Sequence, residues 1–348
     1  YSSWVSTIGL SSLFYATGLN YGSLPLKELG AALATPTSGF LVGTVIVILI
    51  TALSITGTKK IMTFQNILVV IGILGVIVGI SLPLLFTNSS FAAAISKYAS
   101  YDQIIQSGVS AGYAPAPFSL NQTILATGLV ALTMLFGQFS VYMGGEIRRP
   151  ERSIPRAIII TTIFTTGLLV IGGYVVNSVF GTSFSGAIQT LYYNGSADYP
   201  FQVAPYYNFL VSLLTDNPFI IILIGLSFTL WTMSGAIFNL LANSRCVLAW
   251  SFDRIFPARM AYVSERLHTP IYAIIFNIAI AEFLLYLYSF NISVVSFMAG
   301  TTLGYIFTFG STAVAGILVP FLSRSRRIYE SSGARRAFFG IPVITLLG

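Results

Sequence analysis

The sequence predicts an all-α integral membrane protein, and two observations carry that prediction. The 348-residue chain is 55% hydrophobic and only 8% charged, with a mean hydropathy of +0.84, whereas soluble domains carry about 25% charged residues. Its apolar residues also lie in runs of roughly 20 or more, which is the length that crosses a bilayer as a helix. Lipid admits only helices or closed barrels, and runs this continuous are too long for barrel strands. We therefore expect a multi-helix bundle.

The apolar runs define one transmembrane domain over 1–348. The predicted spans are 1–19, 38–56, 61–86, 122–144, 156–180, 218–243, 270–289 and 292–322, with a truncated ninth at 337–348. Because both chain ends fall inside apolar runs, we expect this to be a piece of a longer protein. The run 206–214 is too short to span and predicts an amphipathic loop helix.

Composition argues against several classes of site. One Cys and one His, His268, argue against a disulfide framework, a Cys-rich metal site and a multi-His centre. We predict no metal and no cofactor. The net charge of +7 could suggest nucleic acid, but in a membrane protein the placement of the charges matters more. The expected partner is the lipid bilayer, with no nucleic acid.

The basic residues predict the orientation. If the connectors alternate sides, Lys27 and Lys97 fall on one side and the other 15 of the 17 basic residues on the opposite side. By the positive-inside rule, the Arg-rich loops are cytoplasmic and the connectors 87–121 and 181–217 are extracellular. N-glycosylation sequons occur in or beside the connectors predicted to be extracellular, which mildly supports this orientation. They are at Asn88, Asn121, Asn194 and Asn291. We predict a multi-pass protein of the cell membrane.

The stretch "LFGQFSVYMGG" (135–145) gives the span 122–144 an unusual centre. Gly137 lies within the span, next to the polar Gln138 and Ser140 and between Phe136 and Phe139. A glycine here permits either close helix packing or a break near residue 137. A break would free backbone groups that can hold the charged ends of a solute. The residues alone leave both readings open.

The next stretch, "GGEIRRPERSIPRA" (144–157), concentrates charge directly after a glycine pair. Its arginines can anchor a cytoplasmic turn, and Pro150 and Pro155 can end one helix and start the next. That reading does not account for Glu146, an acid at the end of a span.

At this turn the sequence resembles the amino acid–polyamine–organocation (APC) superfamily of permeases. Members have a broken sixth helix that runs into a motif like E-x-x-N-P-x-R-x-x-P-x-A. Arg149 replaces the usual Asn, Gly145 stands where many members have a second acid, and Gly137 is one residue out of register with the family's mid-helix glycine. The matching residues are Glu146, Pro150, Arg152, Pro155 and Ala157.

A second stretch, "NSRCVLAWSFDRIFPARMAYVSERLHTP" (243–270), is similar to the family's segment after the eighth helix. Arg254 replaces the common Gly. The matching residues are Ser244, Arg245, Ala249, Asp253, Pro257, Thr269 and Pro270.

The resemblance implies a transporter bundle of the five-plus-five inverted-repeat type, with the two N-terminal helices missing from this chain. It implies a secondary active transporter, not an enzyme, that moves amino acids or related amines by alternating access. It also implies that Glu146, Arg149 and Arg152, in the cytoplasmic motif, take part in gating. The candidate substrate-binding residues are Phe136, Gly137, Gln138, Phe139, Ser140 and Ser234.

The sequence leaves open whether transport is coupled to H⁺, to Na⁺ or to neither ion. Some proton-coupled relatives carry a lysine on the fifth helix, but the equivalent here is Gly72, and 61–86 holds no Lys or Arg. Glu282 lies within a predicted span, where an ionisable residue is a functional candidate. It is either a neutral packing acid or a coupling residue.

Two alternatives to this transporter remain. One is a non-transporting membrane subunit or sensor on a transporter-like scaffold, since fold does not fix function. The other is a transporter of a different organic cation. An intramembrane enzyme would need a catalytic constellation such as H-E-x-x-H, and the sequence contains none.

Overall fold

The described part of the chain is mainly helical. The computed structural model describes residues 1–115, 118–124, 126–127, 139–291, 304, 307–331, 335, 337–338 and 341–342. In chain order the main α-helices are α1 (Ser11–Asn20), α2 (Leu24–Leu33), α3 (Pro36–Ile55), α4 (Thr58–Ser81), α5 (Asn88–Ile95), α6 (Tyr101–Ser110), α7 (Pro150–Val175), α8 (Thr182–Tyr193), α9 (Tyr207–Ser212), α10 (Pro218–Phe252), α11 (Ile271–Phe290), α12 (Phe307–Leu318) and α13 (Ser323–Ser331). Within these described residues, five helices are long and apolar enough to cross a membrane: α3, α4, α7, α10 and α11.

Contacts divide the chain into two compact units. Unit 1 comprises Tyr1–Phe118, Phe139–Met143 and Ile163–Asn291. Unit 2 comprises Ser119–Gln138, Gly144–Thr162 and Ile292–Gly348. One transmembrane domain over 1–348 stays a prediction.

Helix α10 lies at the centre of unit 1. It begins where the sequence signals a start: Pro218 occupies the first turn, and the Asn217 side chain accepts from the backbone N–H groups of Phe219 and Ile220. At 35 residues it is about 50 Å long, more than a bilayer core requires.

The first span packs on α10 through small residues. A β-carbon added at Gly9 would lie 2.7 Å from Thr229 Cα, and one at Gly225 would lie 2.7 Å from Leu13 Cβ. The span begins as a short α-turn and then widens into a π-helix at Val5–Leu10 before α1. A π-turn removes a backbone hydrogen bond, and the Ser11 hydroxyl donates to the Thr7 carbonyl over 2.8 Å. The close approach and the widened turn fix this helix against α10.

Helices α3 and α11 pair through an aromatic and glycine contact. Phe40 packs on the rings of Tyr286 and Phe290, with centroids 5.9 and 5.6 Å apart. A β-carbon at Gly43 would lie 3.0 Å from the Leu285 side chain. The first half of α3 therefore packs closely on the second half of α11.

The connectors 87–121 and 181–217 contain helices and share a buried core, which we call the cap. It is built from α5, α6, α8 and α9, a degree of order that their polar sequence did not predict. The fully buried rings of Phe91 and Phe180 stack with centroids 4.6 Å apart, and Phe184 meets Phe91 edge-on at 5.3 Å. Helix α9 was expected to be an amphipathic loop helix, but the structure buries its Asn208–Ser212 segment.

Hydrogen bonds tie the cap together. Asn88 Nδ2 donates to the Val179 carbonyl over 3.0 Å, and Asn194 Nδ2 donates to the Ala111 carbonyl over 2.9 Å. The side-chain amides of these two sequon asparagines are therefore engaged in holding the cap.

Unit 2 contains the charged turn, the start of α7, and the helices α12 and α13. On α13, Arg326 pairs with Glu330 one turn later, at 3.0 Å. Two-residue strands at Ala337–Phe338 and Ile341–Pro342 pair antiparallel, at the start of the predicted ninth span. The rest of 337–348 lies outside the described residues.

Candidate substrate site and charged motifs

Two predicted substrate residues, Phe139 and Ser234, lie on helical segments that touch in unit 1. The Phe139 ring packs on Phe238 of α10, with centroids 6.0 Å apart and the planes at 73°. Ser234 lies one turn before Phe238 on the same helix and is 8% exposed. Ser140 follows Phe139 and is half-buried. An aromatic pair and a hydroxyl thus lie together along the middle of α10.

The other predicted substrate residues fall outside the described part of the chain. They are Phe136, Gly137 and Gln138, and the predicted break near residue 137 falls there too. The described segment begins at Phe139, with the short helix Phe139–Tyr142.

Trp231 lies three residues before Ser234 and borders α4, the helix of the predicted span 61–86. A β-carbon at Gly72 would lie 2.9 Å from Trp231 Cε3, while the indole is 43% exposed. The indole therefore fills the space beside position 72, where the resemblance would put the lysine of some proton-coupled relatives. A lysine side chain at this position would have to displace Trp231.

In unit 2 the charged turn folds compactly. Gly144–Glu146 forms a 3₁₀ turn, and helix α7 begins at Pro150. The two prolines were expected to end one helix and start the next, but both belong to α7, with Pro155 inside it. A proline in an early turn removes a single backbone bond, and Pro150 suits the first helical position.

Arg149 occupies a backbone conformation that arginine rarely adopts. Its φ is +52°, and its carbonyl accepts from the N–H groups of Arg152 and Ser153, both at 3.0 Å. It therefore stands at the start of α7. Asn favours both this left-handed region and the position before a helix, which explains why the APC motif has Asn where this chain has Arg149.

The second motif closes one end of unit 1. Arg245 Nη2 donates to Thr58 Oγ1 over 3.0 Å, joining α10 to the start of α4. Thr269, 1% exposed, accepts through its carbonyl from the Ser264 N–H at 3.0 Å and so closes the loop before α11. Motif residues that the sequence singled out thus hold the start of α4 against α10 and close the loop before α11.

Arg254, like Arg149, adopts a left-handed backbone conformation. Its φ is +61°, in the region that only glycine enters without a penalty. The common Gly of the APC motif at this position is therefore explained by the backbone, and this chain departs from it at a cost in strain.

Residues 1–347 match the sequence profile of a family described as amino acid permease. The match covers nearly the whole chain. The chain belongs to the amino acid permease family. A search among curated proteins finds no match.

Family membership makes this permease a multi-pass membrane protein and a transporter of amino acids or related compounds, rather than an enzyme. It also confirms the all-helical fold class and the APC resemblance.

Two residues make contacts that the sequence did not indicate, Phe238 at the candidate site and Thr44 between α3 and α11. Phe238, the partner of Phe139, is one turn from Ser234, so the helical period of α10 could have suggested it. Thr44 donates to Glu282 Oε2 over 2.9 Å across 238 residues of sequence. No local pattern in the permease sequence points to that pair.

Proposed function

We propose that this permease is a secondary active transporter that moves amino acids or related amines by alternating access. The observation that carries the proposal is the family match over residues 1–347. A bundle of five-plus-five inverted-repeat type would place the solute near the bilayer midplane, beside broken helices.

The proposed solute site lies along the middle of α10. Ser234 offers a hydroxyl to a polar group of the solute. The packed rings of Phe139 and Phe238 form an apolar wall on one side of the site. A substrate-binding role for Ser140 also belongs to the proposal, and the same role for Phe136, Gly137 and Gln138, outside the described residues, stays a prediction. Pockets of this kind combine apolar walls with a few placed polar groups.

The proposed orientation follows from charge. The Arg-rich turns at 148–156 and 245–266 face the cytoplasm, and the cap faces outward. Glu146, Arg149 and Arg152 then lie at the cytoplasmic end of the path. We assign them to an inner gate whose contacts form and break as the bundle rocks.

Uptake into proteoliposomes tests the proposal. The purified protein would receive pools of labelled amino acids and polyamines, with and without imposed H⁺ and Na⁺ gradients. Saturable uptake that one pool member competes away supports the proposal and names the solute. Folded protein that takes up none of them would favour a different organic cation or a non-transporting scaffold.

A further inference from the structure

Helices α3 and α11 share a hydrogen bond near the middle of both helices. Thr44 Oγ1 donates to Glu282 Oε2 over 2.9 Å. Glu282 is the twelfth of 20 residues in α11, and Thr44 is the ninth of 20 in α3. Both helices are long and apolar enough to span. A carboxyl at this position of a spanning helix would lie within the hydrocarbon core.

The second carboxyl oxygen lacks a hydrogen bond. Within the described residues, Glu282 Oε1 is buried and has no partner. The nearest amide along the helix, Asn277, donates to the Ala273 carbonyl at 2.8 Å instead. Leaving a buried polar atom unpaired costs roughly 1–3 kcal/mol, and an uncompensated buried charge costs more.

Among the described residues, the elements packed on α11 bring no cation to this carboxyl. Helix α3 and the turn Ser2–Trp4 carry no acidic or basic residue. Arg245 and Cys246 of α10, and Arg259 of the 3₁₀ turn Ala258–Ala261, belong to the end where α11 starts, and Glu282 lies about 16 Å along the helix axis from that start. Tyr286 lies one turn beyond Glu282 and packs on Phe40. The remaining ionisable side chains on α11 are Tyr272 and Tyr288.

We propose that Glu282 and Thr44 form an intramembrane proton-binding site. The carboxylate takes up one proton and becomes a neutral carboxyl. A hydroxyl can donate or accept, so Thr44 donates to the carboxylate and accepts from the carboxyl. The hydrogen bond between α3 and α11 is kept in both states, while the buried charge appears and disappears.

This site can couple protons to movement of the two helices. At Gly43 a β-carbon would lie 3.0 Å from Leu285, so the α3–α11 contact depends on a close approach beside the carboxyl. A charge that appears in such a contact changes the relative free energies of two packings. Coupling to solute movement rests on the proposed function, but proton binding at Glu282 does not.

Carbodiimide labelling tests proton binding without any transport. The apolar reagent dicyclohexylcarbodiimide reacts with protonated carboxyls in lipid, and peptide mass spectrometry locates the adduct. We expect Glu282 to be labelled, with the yield falling as pH rises. Glu282→Gln should abolish the adduct, and the exposed Glu265 serves as a control that a water-soluble carbodiimide labels. No adduct at Glu282 at any pH would overturn the proposal.

Thr44→Val keeps the shape of the side chain and removes the hydroxyl. We expect it to shift the pH of half-maximal labelling at Glu282, and an unchanged midpoint would remove Thr44 from the site. In proteoliposomes Glu282→Gln should lose the acceleration of uptake by an inward proton gradient while keeping solute exchange. Full acceleration in that variant would overturn the coupling role. If the wild-type protein transports no solute and Glu282 is still labelled as expected, the proposed function is contradicted and the proton-binding site is retained.

Discussion

Gly75 of α4 lies against Ser227 of α10 with no room for a side chain. A β-carbon at Gly75 would lie 2.6 Å from the Leu223 carbonyl oxygen and closer still to Ser227 Cβ. Four residues on, a β-carbon at Gly79 would meet only Ile224 Cγ1, at 4.0 Å. The motif Gly75-x-x-x-Gly79 therefore uses one of its two glycines for close packing.

Gly75→Ala should destabilise the protein by about 1–3 kcal/mol, because the α4–α10 contact must open to admit a methyl group. Thermal unfolding in detergent measures the loss. Gly79→Ala is the matched control and should be neutral or slightly stabilising, since alanine favours helix. Equal behaviour of the two variants would contradict the packing described here.

Arg254→Gly should raise the unfolding temperature. The substitution removes a left-handed arginine that costs roughly 1–2 kcal/mol, and the flexibility of glycine in the unfolded state offsets part of the gain. Arg259→Gly, in the 3₁₀ turn Ala258–Ala261, has no such strain to relieve and should lower stability. A lower unfolding temperature for Arg254→Gly would show that the Arg254 side chain stabilises the fold by more than its backbone strain destabilises it.

Ser234→Ala should raise the KM for the solute while leaving the maximal rate nearly unchanged. Loss of one neutral hydrogen bond corresponds to about 1 kcal/mol, or roughly fivefold in KM. Thr232→Ala is a control, because that hydroxyl already donates to the Phe228 and Thr229 carbonyls of its own helix. Concentration-dependent uptake measures both. An unchanged KM would remove Ser234 from the site.

Glu146→Gln should alter the balance between inward-facing and outward-facing states. The change removes a negative charge from the proposed inner gate but keeps the size of the side chain. Initial rates of uptake and efflux, measured in vesicles of known protein orientation, report that balance. Glu151→Gln, an exposed acid in the first turn of α7, is the control. Rates that match wild type in both directions would discard the gating role.

The cap should lose stability in alkaline solution. Burial, with neighbouring Tyr192 and Tyr15, raises the pKa of Tyr199, whose hydroxyl donates to the Val203 carbonyl over 2.6 Å. In the unfolded chain a tyrosine deprotonates near pH 10. The stabilisation is therefore full below about pH 10 and falls as pH rises above it, because only the unfolded state then loses the proton.

Tyr199→Phe should flatten that alkaline decline, although the lost hydrogen bond lowers stability at neutral pH. Unfolding midpoints measured from pH 8 to 11.5 provide the comparison, with the exposed Tyr193→Phe as control. A decline as steep in Tyr199→Phe as in wild type would contradict the assignment.

The sequence predicted what depends on run length and composition, and missed what depends on distant contacts. The long helices follow from apolar length. The cap was missed because Phe91 and Phe184 lie in connectors whose local sequence is polar. Strain at Arg149 and Arg254 is invisible without backbone angles. The Thr44–Glu282 pair joins residues 238 apart, which no local pattern can bring together.

Solute exchange tests the central claim most directly. Proteoliposomes loaded with the solute identified by uptake would be compared with empty ones for initial entry of the labelled compound. An alternating-access transporter predicts saturable entry that is faster into loaded vesicles, because the loaded protein returns to the outer side carrying solute. Entry that rises linearly with concentration and ignores the solute inside would contradict the account.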